Sequence, residues 1–345
     1  MRARLVESLP DRPALIRPGE LLTTAPAAVA RWTLSVSPVH HPTQHTRPTQ
    51  HLRTVHHVRL SPGVDVLDLV TTLRDRGHPA SPNHVLTGQP LYFGGPHGAP
   101  SPAPAVPYEP GPPSGVTIAV LDTGVVPHPW LMPWYRDDAA DTPDADGDGG
   151  LDTQAGHGTF VCGLILRRDP GVRLRAVRLL DSDGVADEAA LLRALARLCA
   201  ERVGVLNLSF GGYTFDDRPP LGLAEALAGF PAVVACAGNT GHSRPFWPAA
   251  LPGVVAVGAL DGDVRASFSA YGPWVDACAQ GVGLASSFVE FGAFHGYATW
   301  SGSSFACATV VGALARLCRE LPPAQAVRRL LSEGRRIPDL GVAIA

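Results

Sequence analysis

Three short segments carry side chains that can work together. Asp122 lies in AVLDTG (Ala119–Gly124), directly after an apolar run. His157 opens a run of helical character within GHGTFVCG (Gly156–Gly163). SGSSFACATVVGALA (Ser301–Ala315) places serines just before a stretch of small residues. Taken singly, each has an ordinary explanation: an Asp after a strand caps a helix, a His between glycines sits in a turn, a Ser at a helix start is an N-cap. Taken together they supply a hydroxyl nucleophile at a helix N-terminus, an imidazole base and a carboxylate that fixes the imidazole tautomer. These are the parts of acyl transfer through a covalent intermediate. Ser301, Ser303 and Ser304 all compete for the nucleophile's place.

The elements around these segments alternate between strand and helix patterns. Val116–Leu121 (VTIAVL), Leu174–Leu179, Val203–Leu208 (VGVLNL), Ala232–Ala237 (AVVACA) and Val254–Gly258 are short apolar runs with β-branched content. Asp187–Cys199 is a helical pattern with Leu191, Leu192, Leu195 and Leu198 facing inward. Buried strands alternating with helices predict an α/β fold whose mostly parallel sheet is covered on both faces. Ligands bind at the carboxyl ends of strands in such sheets, which is where the three segments fall.

Residues 94–115 read GGPHGAPSPAPAVPYEPGPPSG, with Gly or Pro at 13 of 22 positions. That density forbids a helix or interior strand and predicts a semi-extended linker and the main domain boundary. The expected division is therefore residues 1–93, the linker 94–115, and a catalytic domain over 116–345. Within the first part, Val55–Leu60 reads as a strand, Val64–Arg76 as an amphipathic helix with Val66, Leu67, Val70 and Leu73 inward, and His84–Leu86 as a second strand. A small α/β domain over about residues 52–90 follows from this. Residues 40–57 hold six histidines and a doubled PTQH, which reads as a solvated low-complexity loop ahead of a metal site.

Composition removes several function classes. The 345-residue chain has a formal net charge of −3, so no electrostatic case exists for nucleic acid or an anionic membrane as a partner. All 28 basic residues are Arg. Without lysine there is no phosphate-binding P-loop, no Schiff-base catalysis and no Ser–Lys dyad. The six cysteines are widely spaced in apolar or small-residue surroundings, as expected of buried free thiols. The first twenty residues lack the apolar core of a signal peptide, which favours a cytoplasmic protein and leaves secretion open.

At this point the three segments resemble those of the subtilisin-like serine peptidases, in that family's order of Asp, then His, then Ser. The resemblance runs over roughly residues 114–335 and implies a three-layer α/β fold with Asp122, His157 and Ser304 as the triad. The family pattern Gly-Thr-Ser aligns with Gly302-Ser303-Ser304, which selects Ser304. Ala308 stands where the family usually has Pro. CAGNTG (Cys236–Gly241) is similar to the segment that carries the oxyanion-hole Asn, which implies Asn239 and the Ser304 backbone N–H as the two donors.

The same resemblance implies a substrate cleft. Ser209-Phe210-Gly211 would pair with an extended peptide, Gly184 would belong to the opposite wall, and Cys236-Ala237-Gly238 would line the main pocket with room for a large apolar side chain. The partner is a peptide or protein substrate, and no cofactor is needed for the chemistry. DADGDG (Asp144–Gly149) matches the first six positions of a calcium loop without its terminal Glu. Structural calcium on Asp144, Asp146 and Asp148 competes there with a solvated acidic loop. The N-terminal domain is similar to the propeptides that inhibit these enzymes, with a cut expected within 94–115; a permanently attached domain is the alternative. An inactive scaffold, or a ligase or macrocyclase working through the same acyl-enzyme, would share this sequence. Activity is expected to fall below roughly pH 6.5, where imidazole takes up its proton.

Overall fold

The computed structural model describes residues 3–7, 13–40, 54–88 and 98–345, which form two compact units. Neither unit is one stretch of chain. Residues 87–185, 202–211 and 230–345 make the larger, and residues 1–86, 186–201 and 212–229 make the smaller. The linear division expected from the linker is thus crossed by two segments from the later chain, which join the N-terminal residues.

The larger unit is built on a nine-stranded sheet. Its order is Arg336–Ile337, Gly341–Ala343, Ala277–Gln280, Val255–Asp261, Val233–Cys236, Val205–Leu208, Thr117–Asp122 and Arg173–Arg178, with Val264–Arg265 paired to Val255–Asp261. From Gly341–Ala343 to Arg173–Arg178 every neighbouring pair is parallel. The apolar runs of the sequence become these strands with ends displaced by a few residues. Val205, Leu206 and Leu208 are wholly buried, as a strand covered on both faces requires.

Helix Ser303–Leu317 packs on four of the central strands and against helix His157–Arg168. Ala306, Cys307 and Ala308 are fully buried, and a Cβ at Gly312 would collide with the Arg168 side chain. Small residues therefore bring this helix close to its neighbours, while Val310, Val311 and Leu314 supply apolar burial worth about 1.5–3 kcal/mol each.

The Pro-rich segment is held although it forms little secondary structure of its own. Ser101–Pro102 adds a strand to the hairpin Leu284–Phe291/Phe294–Trp300. The Trp300 Nε1–H donates to Gly98 O (3.1 Å), Ala103 N–H to Tyr297 O (3.2 Å) and Ser114 N–H to Gly171 O (2.7 Å). The Tyr108 ring lies 4.9 Å from that of Trp130. Proline removes donors from this stretch, so its remaining donors and acceptors are met one at a time.

The smaller unit has a sheet in the order Thr33–His40, Val55–Leu60, Ala14–Thr23, Ala80–Thr87 and Val185–Asp187, with Arg4–Val6 on Ala14–Thr23. Helix Val66–Asp75 buries Val66, Leu69, Val70 and Leu73, and its N-cap Asp65 accepts from Leu67 N and Asp68 N. Leu69 takes the inward place expected for Leu67. Helix Glu188–Leu198, capped by Asp187, buries the four leucines predicted for it. It belongs to this unit, where Arg17 Nε–H donates to Asp187 Oδ2 (3.0 Å) and Ala189 N–H to Asn83 Oδ1 (3.1 Å). Residues 41–53 of the His-rich loop lie outside the described residues. Among the described residues no helix is long and apolar enough to cross a membrane.

Candidate active site

Asp122 ends the strand Thr117–Asp122 and is 1% exposed. Its Oδ1 accepts from His157 Nδ1 (2.7 Å) and from Thr123 N–H (2.8 Å), while Oδ2 is buried with no hydrogen-bond partner. A carboxylate on Nδ1 places the ring proton there and leaves the Nε2 lone pair free to take a proton. His157 is the first residue of its helix, whose N-cap Gly156 sits at φ 82°, in the left-handed region. The imidazole is enclosed by Trp300 (5.5 Å, edge-on) and Phe305 (5.4 Å). A Cβ at Gly158 would collide with Gly124 O, so glycine is what lets the His helix close on the Asp122 loop.

A residue overlooked in the sequence joins these two pieces. Asp141, one of seven Asp residues between Asp122 and His157, is buried, and its Oδ2 accepts from both Thr123 Oγ1 (2.9 Å) and Gly156 N–H (2.7 Å). Its Oδ1 accepts from Thr142 N–H (2.8 Å), and Thr123 Oγ1 in turn accepts from Gly158 N–H (3.1 Å). Burial, with the nearby Asp122 charge, holds the Asp141 carboxyl above its usual range despite these hydrogen bonds. Nothing in a run of seven Asp residues marks one as turned inward.

The three competing serines separate by what their hydroxyls do. Ser301 Oγ accepts from Gly283 N–H (2.9 Å) and Ser303 Oγ from Gly238 N–H (3.2 Å), so both brace backbone. Ser304, in the first turn of its helix, donates to Ser209 O (3.0 Å). Asn239 is fixed through Oδ1, which accepts from Ser303 N–H (2.8 Å). Its Nδ2 lies toward Gly302, where an added Cβ would stand 3.4 Å away. The structure therefore joins Asp122 to His157 and Asn239 to the Ser303–Ser304 turn, with Phe305 of that turn against the imidazole.

The predicted cleft edges hold a piece of the chain's own backbone. Thr87 N–H donates to Gly211 O (2.7 Å), Gly211 N–H to Thr87 O (3.1 Å) and Gly88 N–H to Gly184 O (2.7 Å). Gly211 and Gly184 are thus opposite edges of one slot with Thr87-Gly88 between them. Ser209 contributes its carbonyl, whereas the Phe210 side chain is fully buried. Cys236, Ala237 and Gly238 are buried, but the space beside Gly238 is not open as expected. The Phe246 ring fills it, 3.1 Å from where a Gly238 Cβ would stand, and also abuts Gly211. Burial pushes the Cys236 thiol up to about 12, so it is no second nucleophile near neutral pH.

The acidic loop arranges differently from its sequence pattern. Ligand atoms of Asp144, Asp146 and Asp152 lie within 4.8 Å of one another. Asp148, the third residue expected from the pattern, instead turns its Oδ1 to Gly150 N–H (2.7 Å).

The fold is of the subtilisin-like class, and comparison with known proteins gives the same class, that of serine-type endopeptidases. The chain belongs to the subtilase family, whose model matches residues 113–332. It is 33% identical over 219 residues to subtilisin BL of Lederbergia lenta, covering 61% of this chain and 78% of that protein. It is also 36% identical over 223 residues to a thermophilic serine proteinase of Bacillus sp. (strain AK1), covering 60% of this chain and 53% of the relative. Among solved structures, a cold-adapted subtilisin-like serine proteinase matches with a TM-score of 0.55 at 26% identity, over 71% of this chain and 93% of that one. The fold is shared with a lanthipeptide protease as well (TM-score 0.56, 19% identity, 68% of this chain and 86% of that one).

Proposed function

We propose that the chain hydrolyses peptide bonds with Ser304 as nucleophile, His157 as general base and then acid, and Asp122 as the residue that holds the imidazole. The buried 2.7 Å contact between His157 Nδ1 and Asp122 carries this reading, because it presents a basic nitrogen beside the turn that bears Ser304. In this reading the Ser304 hydroxyl leaves Ser209 O and gives its proton to His157 Nε2 as it attacks. Attack on the substrate carbonyl then gives a tetrahedral oxyanion, held by Asn239 Nδ2 and the Ser304 backbone N–H. The imidazolium protonates the leaving amine, and water repeats the sequence on the acyl-enzyme.

The N-terminal chain acts in this proposal as an intramolecular inhibitor, since Thr87-Gly88 already pair with both edges of the slot. The described residues 98–115 are pinned to the catalytic unit at several points, which disfavours a cut there within the expected range of 94–115. Residues 94–97 of that range lie outside the described residues. Asp144, Asp146 and Asp152 offer the hard oxygen ligands that suit calcium, which would brace the loop between Asp141 and His157.

A fluorophosphonate probe tests the assignment on the full chain and its Ser304→Ala and Ser303→Ala variants. Labelling lost only in Ser304→Ala is expected. Labelling of all three, or of none even after limited proteolysis has released Thr87-Gly88 from the slot, overturns the assignment. For calcium, a rise in melting temperature on adding the ion, lost in Asp144→Asn, is expected, and no rise removes the proposal.

A further inference from the structure

We infer that this enzyme selects a small residue, with serine ahead of alanine, at the substrate position just before the residue that donates the cut carbonyl, and that Leu180 and Gln154 set this choice. The inference rests on the peptidase reading above and adds to it a substrate class.

Register fixes which position Gly88 represents. Thr87 pairs with Gly211 in antiparallel sense, so each step back along the cleft edge is a step forward along the bound strand. Two steps back from Gly211 is Ser209, whose carbonyl is 3.0 Å from Ser304 Oγ. The substrate residue opposite Ser209 is therefore the one presented to the nucleophile. A residue in the place of Gly88 comes immediately before it.

The space around Gly88 is closed. A Cβ added there would stand 3.0 Å from Leu180 Cδ1, 3.5 Å from Gln154 Oε1 and 3.7 Å from Gly184 Cα. Leu180 is 1% exposed and Gln154 2% exposed, so neither can swing away into solvent. A methyl group fits if the leucine tip yields by a few tenths of an ångström, whereas a branched or aromatic side chain has nowhere to go.

The second observation is chemical. Gln154 Oε1 is buried without a hydrogen-bond partner. Its side chain is held in place because it packs over Gly184, where a Cβ would stand only 2.5 Å from Gln154 Cγ. An orphaned acceptor is costly to bury, and a hydroxyl on the Cβ at position 88 lies within reach to satisfy it. Serine shares alanine's Cβ and adds one oxygen on the side of Gln154 Oε1, so the hydrogen bond it makes there is what separates the two.

The test uses the full chain, with active Ser304 titrated by a fluorophosphonate, and fluorogenic peptides Leu-Thr-X followed by one constant residue, where X is Gly, Ala, Ser, Leu or Phe. Wild type should cleave X = Ser about 5- to 10-fold faster in kcat/KM than X = Ala, and X = Leu or Phe at least about tenfold slower than X = Ala. Gln154→Leu should erase the Ser advantage, and Leu180→Ala should restore cleavage at X = Leu. Equal or faster cleavage at X = Leu or Phe by wild type, or a Ser advantage that survives in Gln154→Leu, overturns the inference while leaving the peptidase reading intact. Absence of both labelling and cleavage, once limited proteolysis has released Thr87-Gly88 from the slot, removes the peptidase reading and this inference with it.

Discussion

The Asp141 carboxylate accepts the backbone N–H of Gly156 at 2.7 Å, one residue before the His157 imidazole. The same oxygen holds Thr123 Oγ1, one residue after Asp122. The two members of the Asp122–His157 pair, which arrive from different elements, are thus tied through a third residue that touches neither reacting atom.

Removing that tie should loosen the His157–Asp122 geometry more than substrate affinity. Asp141→Ala is expected to lower kcat by about 10- to 100-fold, the equivalent of about 1.5–3 kcal/mol for hydrogen bonds to a charged group, with KM changed by less than about threefold. Asp141→Asn, which keeps one acceptor oxygen, should recover part of the loss. Initial-rate kinetics check this, and a change confined to KM would speak against it.

Asn239→Ala should lower kcat by about 10²–10³-fold with little effect on KM, because the donor is used only once the oxyanion forms. That magnitude is the one measured in a subtilisin for loss of the corresponding donor, and it carries over if Nδ2 reaches the oxyanion here as it does there. Steady-state kinetics on a peptide substrate decide. A loss below about threefold would mean that Nδ2 does not reach the oxyanion.

Ser303→Ala separates a structural hydroxyl from a catalytic one. Gly238 N–H would lose its acceptor inside the protein, a cost of about 1–3 kcal/mol in unfolding free energy. The rate of fluorophosphonate labelling should stay within a few-fold of wild type. Urea unfolding and labelling rates measured on the same preparation test both halves.

Glu20 gives the N-terminal residues a pH-dependent anchor. Burial raises its pKa, but hydrogen bonds from His57 (2.8 Å) and Asn83 (2.9 Å), with the charges of His57 and Arg59, outweigh burial and leave it below the ordinary value of 4.5. The folded state therefore favours the ionised form. Its stabilisation is fully present above about pH 4.5 and disappears as pH falls through the lower folded value. Glu20→Gln should lower the urea midpoint at pH 7, and the gap to wild type should close toward pH 3. A gap that is constant with pH would contradict the linkage.

How much could be read from the sequence depended on whether the chemistry required a particular residue type. The positions of Asp122 at a strand end and His157 at a helix start, and of Asn239 in the turn after Val233–Cys236, were legible from the apolar runs and the glycines beside them. Separating Ser304 from Ser303 required the family pattern, and the bond from Gly238 N–H to Ser303 Oγ, which only the folded chain makes, was not legible. Asp141 was not legible, because its role arises only when the loop folds it against Gly156. Strands Ala14–Thr23 and Thr33–His40 were missed as well. Pro18-Gly19 interrupts the first, whose pairing with Ala80–Thr87 shifts register between Ile16 and Leu21, and Pro38 masks the second. Helix Glu188–Leu198 was read correctly as a helix, yet its apolar face carries no label of the partner it covers. Phe246 was overlooked for the same reason, since Gly238 shows only that something must approach closely.

The central claim is that Asp122, His157 and Ser304 act as one catalytic unit, and non-additivity in mutant kinetics tests it most directly. Residual peptide hydrolysis should be compared for Ser304→Ala, His157→Ala and the triple variant that also carries Asp122→Ala. Residues that work only together should give similar losses for Ser304→Ala, His157→Ala and the triple variant, on the order of 10⁶-fold in kcat, as measured for a subtilisin. Losses that multiply from single to triple variant, or a Ser304→Ala protein that retains most of its activity, would contradict the account.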